Sequence, residues 1–169
     1  MTVDGTIKLD GNYPTGTDNV ALGNTALDSL TSGVQNIAIG AYALTANTEG
    51  TGNVAIGRAS LEANTTADSN TAIGKHALLV NTTGNTNVAI GSLALDANTT
   101  GNANVAIGGG ALTSATTASY NTAVGQASLE SNTTGTFNSA LGRSSLVSNT
   151  TGEYNTALGY SSLAANTTA

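Results

Sequence analysis

Four carboxylates recur at even intervals along this chain, and paired carboxylates are the groups that hydrolysis of glycosidic bonds uses. They are Asp28, Glu62, Asp96 and Glu130, each separated from the next by the same stretch of chain. A nucleophilic Ser or Thr would need a basic partner, but His76 is the only histidine. Without cysteine, the chain can form neither a thiolate metal site nor a disulfide scaffold. The spacing of the carboxylates therefore decides whether catalysis is to be expected.

A strict repeat without insertion or deletion sets that spacing. Each unit begins with asparagine, and residues 19–169 hold eight complete units and a ninth that lacks its last two positions. Counting positions 1 to 17 from that asparagine places the carboxylates at position 10 of alternate units. Self-similarity at a fixed period is the signature of a solenoid. The units start at Asn19, Asn36, Asn53, Asn70, Asn87, Asn104, Asn121, Asn138 and Asn155.

Carboxylates two coils apart suit a solvated stripe better than a catalytic pair. At about 4.8 Å per coil, successive carboxylates would be about 10 Å apart, which is too far for a retaining acid–base pair. The sequence also lacks a phosphate-binding loop, a zinc-ligand pattern and a calcium-binding nonapeptide. We therefore expect no enzyme activity, no catalytic residue, no metal site and no cofactor.

The composition excludes several other classes of protein. Only 8% of the residues are charged, against about 25% in typical soluble proteins. The net charge of −6 argues against binding to nucleic acid or to an anionic membrane surface. No run approaches the roughly 18 apolar residues of a membrane span, and the first residues do not form a signal peptide. A chain so poor in large apolar side chains can fold by stacking small residues in regular columns.

The columns of the repeat predict two short strands per coil. Position 3 is always Ala, position 4 is Leu, Ile or Val, position 5 is always Gly and position 9 is always Leu. Words such as Val88-Ala89-Ile90-Gly91 alternate like a strand that ends at a turn residue, and a second strand would run through positions 8 to 10. Glycine in mid-unit disfavours a helix. We expect the position 9 leucines to stack inside the coil, at Leu44, Leu61, Leu78, Leu95, Leu112, Leu129, Leu146 and Leu163.

Asparagine and threonine complete each coil. The word Asn-Thr-Thr-Gly recurs at positions 12 to 15 and predicts a corner, since Asn and Gly tolerate a left-handed backbone. The asparagine at position 1 predicts a ladder of amide hydrogen bonds between coils. Asn-Thr-Thr also matches the glycosylation sequon, but a motif needs its structural context, and corner chemistry is the preferred interpretation.

A single thin coil does not bury enough apolar surface to be stable alone. Burial of two aliphatic side chains contributes about 3–6 kcal/mol per coil, whereas ordering all residues of the coil costs several times as much. Position 3 faces opposite to positions 2 and 4 on a strand, so one of these faces cannot point into the coil. A column restricted to alanine predicts the close approach of another chain. A closed ring of parallel chains, with either the alanines or the position 2 and 4 side chains on the shared axis, is the simplest assembly.

The words at residues 53–57 and 87–91 read Asn-Val-Ala-Ile-Gly, and the word at 155–159 reads Asn-Thr-Ala-Leu-Gly. Repeated in phase over residues 19–169, they resemble the head repeats of trimeric autotransporter adhesins, which carry a Ser-Val-Ala-Ile-Gly type of word. Those heads use a shorter coil. The 17-residue form is similar to repeats in bacteriophage tail fibres and in adhesive surface fibres of bacteria.

The resemblance implies an all-β fold: a left-handed parallel β-roll solenoid with one 17-residue unit per coil and three chains in one fibre. Residues 1–18, in which Val3, Ile7 and Leu9 alternate with polar residues, would form a cap or connector before the repeat domain of residues 19–169. The implied function is a structural and receptor-binding segment of an extracellular fibre, a bacterial surface adhesin or a phage tail fibre, that attaches to a cell surface. The implied partner is the chain itself as a homotrimer, without direct insertion into a membrane.

Recognition would use the variable columns, because the fixed columns are committed to packing and turns. The candidates for contact with a cell-surface glycan or protein receptor fall into two groups. One is the three cations at position 6, and the other is the three aromatic residues at position 17 of consecutive units. An alternative is that the aromatic ridge only packs, which would leave a fibre shaft without a ligand. A second alternative is an ice-binding solenoid. Such a protein would present two ranks of Thr on one flat face, whereas the adjacent Thr residues at positions 13 and 14 point to different sides. The candidates are Arg58, Lys75, Arg143, Tyr120, Phe137 and Tyr154.

Overall fold

The computed structural model describes residues 18–168, which form an all-β parallel solenoid with one repeat unit per coil. Every strand occupies positions 2 to 4 and pairs in register with the strand one coil further along, in one sheet of sequential order. None of these residues is helical, so no helix among them could cross a membrane. The strands are β1 (Val20–Leu22), β2 (Ile37–Ile39), β3 (Val54–Ile56), β4 (Thr71–Ile73), β5 (Val88–Ile90), β6 (Val105–Ile107), β7 (Thr122–Val124), β8 (Ser139–Leu141) and β9 (Thr156–Leu158).

The predicted cap or connector covers residues 1–18, and all of it except Asp18 lies outside the described residues. The structure therefore bears only on the repeat domain, from Asn19 to Thr168.

The predicted second strand at positions 8 to 10 is wrong, because these residues form a turn. Leucine at position 9 has a positive φ in every coil, for example 54° at Leu95 and 51° at Leu129. Position 7 is also left-handed, with a φ of 59° at His76. Two left-handed residues so close together reverse the chain instead of extending it. Hydrogen bonds between coils persist through the turn, as from the Leu95 N–H to the Ala111 carbonyl at 2.9 Å.

The position 9 leucines form the interior column that the sequence predicts. From Leu44 to Leu146 they are completely buried and pack against alanines of positions 3 and 8. Full burial of each leucine contributes about 1.5–3 kcal/mol. Leu163 is 49% exposed, because it belongs to the last described coil and only the preceding coil covers it. The position 9 leucine thus points into the coil from a turn and not from a strand.

The alanine column at position 3 faces the interior of its own coil. Ala89 and Ala106 are fully buried within a single chain, so the interpretation of these alanines as a contact with another chain is wrong. Opposite the leucine column, the coil is too thin to hold more than a methyl group. The side chains at positions 2 and 4 point outward, and Ile73 and Ile90 of position 4 are only half-buried.

Glycine at position 5 ends each strand because a side chain has no room there. The φ of Gly74 is 135°, which L-residues rarely adopt. A Cβ atom on Gly74 would lie 2.6 Å from the carbonyl oxygen of Gly91 in the next coil. The column of glycines therefore lets successive coils approach closely at this turn.

The Asn-Thr-Thr-Gly word is a corner, but not for the predicted reason. Asn81 and Gly84 do not have positive φ, and the left-handed residue of this corner is Thr86 at position 17. The Asn81 Nδ2 donates to the Gly84 carbonyl at 2.9 Å and to the Asn64 Oδ1 of the preceding coil at 3.1 Å. A Cβ atom on Gly84 would collide with the carbonyl of Gly101. The corner therefore needs Asn at position 12 for its hydrogen bonds, and a small residue at position 15 because the next coil lies so close.

Two ladders of buried asparagines run along the solenoid. In the position 1 ladder, which the sequence predicts, the Asn104 N–H donates to the Asn87 Oδ1 at 3.0 Å. The Asn104 Nδ2 also donates to the Ala118 carbonyl at 2.8 Å. The position 12 ladder joins side chains directly, as from the Asn98 Nδ2 to the Asn81 Oδ1 at 2.8 Å. Since buried polar groups must be paired, the two ladders fix the register between coils.

Candidate binding surface

The position 6 cations lie exposed along one column of the solenoid. Arg58 and Lys75 occupy consecutive coils, and His76 follows Lys75 at position 7. Arg143 lies four coils beyond Lys75. Among residues 18–168, none of the three cations forms an ion pair with a carboxylate. The structure thus brings two of the candidate residues together and separates the third.

Arg58 is held between side chains of the two adjacent coils. Its guanidinium carbon lies 5.7 Å from the centroid of the Tyr42 ring in the preceding coil. Its Nη1 lies 3.0 Å from the His76 Nε2 in the following coil. Because arginine is always protonated, the His76 Nε2 must be the acceptor, and a neutral imidazole then carries its proton on Nδ1. Most of the five N–H donors of Arg58 remain for other partners.

Arg143 has similar anchors but no neighbouring cation. Its guanidinium carbon lies 5.8 Å from the centroid of the Tyr160 ring, and its Nε donates to the Gln126 Oε1 at 3.2 Å. Gln126 and Tyr160 are the position 6 residues of the two adjacent coils. They fill the places that a second cation would need, so Arg143 stands alone in its column.

Tyr120, Phe137 and Tyr154 form a parallel stack of three rings. The centroids of the first two rings are 5.0 Å apart, and those of the last two are 5.1 Å apart. The planes differ by 0° and 5°. A spacing of about one coil makes this stack a direct consequence of in-register repetition.

The ring stack presents edges to solvent rather than faces. Both faces of Phe137 are covered by its neighbours, and its side chain is 46% exposed against 73% for Tyr154. A ligand that stacks on an aromatic residue needs an open face, which the centre of this ridge does not offer. The contacts within the stack contribute about 0.5–1.5 kcal/mol for each pair of rings. The geometry favours a packing role over a sugar platform.

The position 10 carboxylates do not form a uniform solvated stripe. Asp28 and Glu130 are exposed, but Glu62 and Asp96 are half-buried. The Oδ1 of Asp96 is buried and has no hydrogen-bond partner among the described residues. Burial raises the pKa of Asp96 above its ordinary value, and hydrogen bonds from nearby backbone groups only partly oppose this shift. The ionised form of Asp96 is therefore less favourable in the folded chain than in water.

An apolar column runs along the outer face of the sheet. It consists of the Leu, Ile or Val side chain at position 4 of β1 to β9, joined by Val or Ile at position 2 of five of these strands, and it alternates with the inward alanines. In the single chain Ile107 is 37% exposed and Leu141 is 50% exposed. A second apolar surface is a shallow groove at positions 10 and 11, lined by Thr45, Ala46, Glu62, Ala63, Leu79 and Val80.

Sequence reasoning missed several residues that the structure engages. Position 16 varies in residue type like the solvent-facing columns, yet the Asp68 N–H donates to the Asn85 Oδ1 at 2.7 Å and the Asn85 N–H to the Asn102 Oδ1 at 2.8 Å. The recurrence of Asp and Asn in this column was the available signal. Tyr42 and His76 were missed because their contacts with Arg58 join residues of different coils.

No group of three or more His, Asp or Glu side chains that could hold a metal ion occurs among residues 18–168. Comparisons of the chain with family models, curated proteins and solved structures return no match.

Proposed function

We propose that this chain is a structural and receptor-binding segment of a trimeric extracellular fibre, either a bacterial surface adhesin or a phage tail fibre, that attaches to a cell surface. The outward face of the β1–β9 sheet carries the proposal. A column of Val, Ile and Leu runs along this face for nine coils, with Leu141 half-exposed in the single chain. Contiguous apolar surfaces of this kind mark interfaces.

The period of the apolar face favours a second copy of this chain as the partner. Its side chains recur at every coil in strict register, as in the pairing of Ile90 with Ile107. A partner can match every row only if it has the same axial repeat. Parallel copies of the same chain meet this condition, and a globular partner does not.

Three copies in a closed ring agree with the resemblance of the repeat words to trimeric adhesin heads. A ring of three identical chains requires two different, complementary surfaces on each chain. The apolar sheet face and the groove around Leu79 and Val80 lie on different sides of the coil. The groove is a candidate for the second surface over the three coils that line it.

The experiment that tests the fibre measures the mass of the protein in solution by light scattering. We expect about three times 16.5 kDa for the natural sequence. Ile90→Lys should dissociate the assembly, because it places a charge on the sheet face. Ser92→Lys, on the exposed position 6 of the same coil, is the matched control and should leave the mass unchanged. A stable single chain of the natural sequence, with the same fold, would refute the proposal.

Ice binding is a second candidate function that one observation favours. Threonine is exposed at position 14 of six consecutive coils, from Thr66 to Thr151. The neighbouring position 13 hydroxyls are engaged, as the Thr82 Oγ1 donates to the Thr99 carbonyl at 3.0 Å. One free rank of hydroxyls is narrower than a flat ice-binding face of two ranks. Thermal hysteresis in a freezing droplet would establish this function, and we expect none.

A further inference from the structure

We propose that Arg58 and Lys75 form a site for the sulfate or carboxylate groups of an acidic polysaccharide, with Tyr42 and His76 as positioning residues. This inference rests on the receptor-binding part of the proposed function, for which it names the class of ligand. The two cations lie in consecutive coils of one exposed column. Their coils are joined directly beside them, by a hydrogen bond from the His76 N–H to the Arg58 carbonyl at 3.0 Å.

The charges of Arg58 and Lys75 are not neutralised within the described chain. Successive coils are about 4.8 Å apart, so the two side chains can reach a common anion. Neither pairs with a carboxylate among residues 18–168, although the chain as a whole has a net charge of −6. Two unpaired like charges side by side are unfavourable, and an anionic oxygen cluster bound between them would remove the repulsion.

The neighbours of Arg58 prepare its guanidinium for binding. The Tyr42 ring on one side and the His76 Nε2 on the other restrict its rotamers. A side chain that is already ordered loses less entropy when a ligand binds. The free N–H groups of Arg58 match two oxygens of a carboxylate or sulfate, and Lys75 adds a compact charge that can approach a third oxygen.

The charge distribution favours a polysaccharide with spaced anionic groups over nucleic acid. A nucleic acid carries a phosphate charge about every 1.7 Å of duplex, and its dense charges would meet the half-buried carboxylates of Glu62, in the coil of Arg58, and of Asp96, in the coil after Lys75. An acidic polysaccharide separates its charges by neutral rings. Repetition of the site on the three chains of the proposed fibre would raise the apparent affinity through multivalency.

The test uses the assembled protein on immobilised heparin, polygalacturonate and dextran, which supply sulfate esters, carboxylates and no charge. We expect binding to one or both acidic polymers and none to dextran. The better acidic polymer identifies the anionic group. The double variant Arg58→Gln, Lys75→Gln should weaken binding about tenfold or more, because two charge-assisted contacts are lost. Arg143→Gln removes an isolated cation with a similar aromatic anchor, and binding should fall less than about twofold if the adjacent pair of cations forms the site.

The positioning role of Tyr42 has its own readout. Tyr42→Ser should weaken binding about threefold through loss of the ring under the guanidinium, and Tyr42→Phe should not. Thermal midpoints of all variants should stay near that of the natural protein, because Arg58, Lys75 and Tyr42 are exposed.

Several results would overturn the site. They are equal losses in the Arg143 and double variants, equal binding to dextran, or no binding to either acidic polymer. Dissociation of the double variant into single chains would also overturn it, because the cations would then pair with carboxylates of another copy. A trimer that fails to bind contradicts the site alone, whereas a single chain that binds contradicts the fibre alone.

Discussion

Asn87 and Asn104 are joined through the interior of two adjacent coils, where the Asn104 N–H donates to the Asn87 Oδ1 at 3.0 Å. The Asn87 Nδ2 donates in turn to the Gly101 carbonyl at 2.9 Å. Both asparagines are completely buried. One buried side chain thus pairs a carbonyl near the end of its own coil and the first N–H of the next coil, and each rung of the ladder depends on such an asparagine.

Asn87→Ala should destabilise the solenoid by about 2–4 kcal/mol, because it leaves the buried Asn104 N–H without an acceptor and removes a donor from Gly101. Denaturant unfolding measures the change. Asn24→Ala, at the exposed position 6, is the control and should alter stability by less than about 0.5 kcal/mol. Equal effects of the two substitutions would show that the ladder does not stabilise the fold.

Gly74→Ala should destabilise by about 2–4 kcal/mol, since the new Cβ atom meets the Gly91 carbonyl oxygen at 2.6 Å and φ is 135°. The matched control is Gly109→Ala, where the nearest atom to the new Cβ would be 3.8 Å away and φ is not positive. That substitution should be neutral or stabilise by up to about 1 kcal/mol, because it restricts the unfolded chain. Similar thermal midpoints for both variants would contradict the close approach at position 5.

Phe137→Ser should reduce stability about twice as much as Tyr154→Ser, because Phe137 contacts two rings and Tyr154 contacts one. We expect about 1–3 kcal/mol for Phe137→Ser. Serine occupies the same position at Ser69, where φ is 58° as at Phe137, so the backbone accepts the change. Thermal unfolding measures the difference.

Replacement of all three rings by serine tests whether the ridge also recognises a receptor. Because the ring faces cover one another, we expect attachment to cells and to a glycan panel to be unchanged while the assembly survives. Loss of attachment by an intact assembly would show that Tyr120, Phe137 and Tyr154 contact the receptor.

Asp96→Thr should stabilise the protein at neutral pH, and the gain should disappear in acid. The raised pKa of Asp96 means that the folded chain favours the protonated carboxyl. Its contribution is thus most favourable below the ordinary value of 3.8 and is lost as the pH rises through the higher folded value. Threonine at this position can donate to the preceding coil, as the Thr113 Oγ1 does to the Leu93 carbonyl at 3.2 Å.

Thermal midpoints of Asp96→Thr and of the natural protein, measured at pH 3 and at pH 7, test this linkage. Glu130→Thr is the control at an exposed site of the same column. A gain in stability that is equal at both pH values would mean that the burial of the Asp96 charge is not its cause.

The sequence by itself determined the period, the in-register stacking and the identity of the interior leucine and asparagine columns. Each of these follows from repetition: identical residues one unit apart must lie above one another once a coil closes. The words around Ala89 and Ala106 also located the strands correctly. Stacking of Tyr120 on Phe137 needed no further information.

Only the tertiary structure decided how each coil turns. Leu95 adopts a φ of 54°, a conformation that costs an ordinary residue about 1 kcal/mol or more. No local propensity predicts it. The burial of the side chain and the hydrogen bond of its N–H to the next coil favour it. The same turn leaves space for only a methyl group at Ala89, and thereby places Ile90 on the outside. Which face of the strand points inward depends on the backbone of the opposite side of the coil, and that information is absent from the strand's own residues.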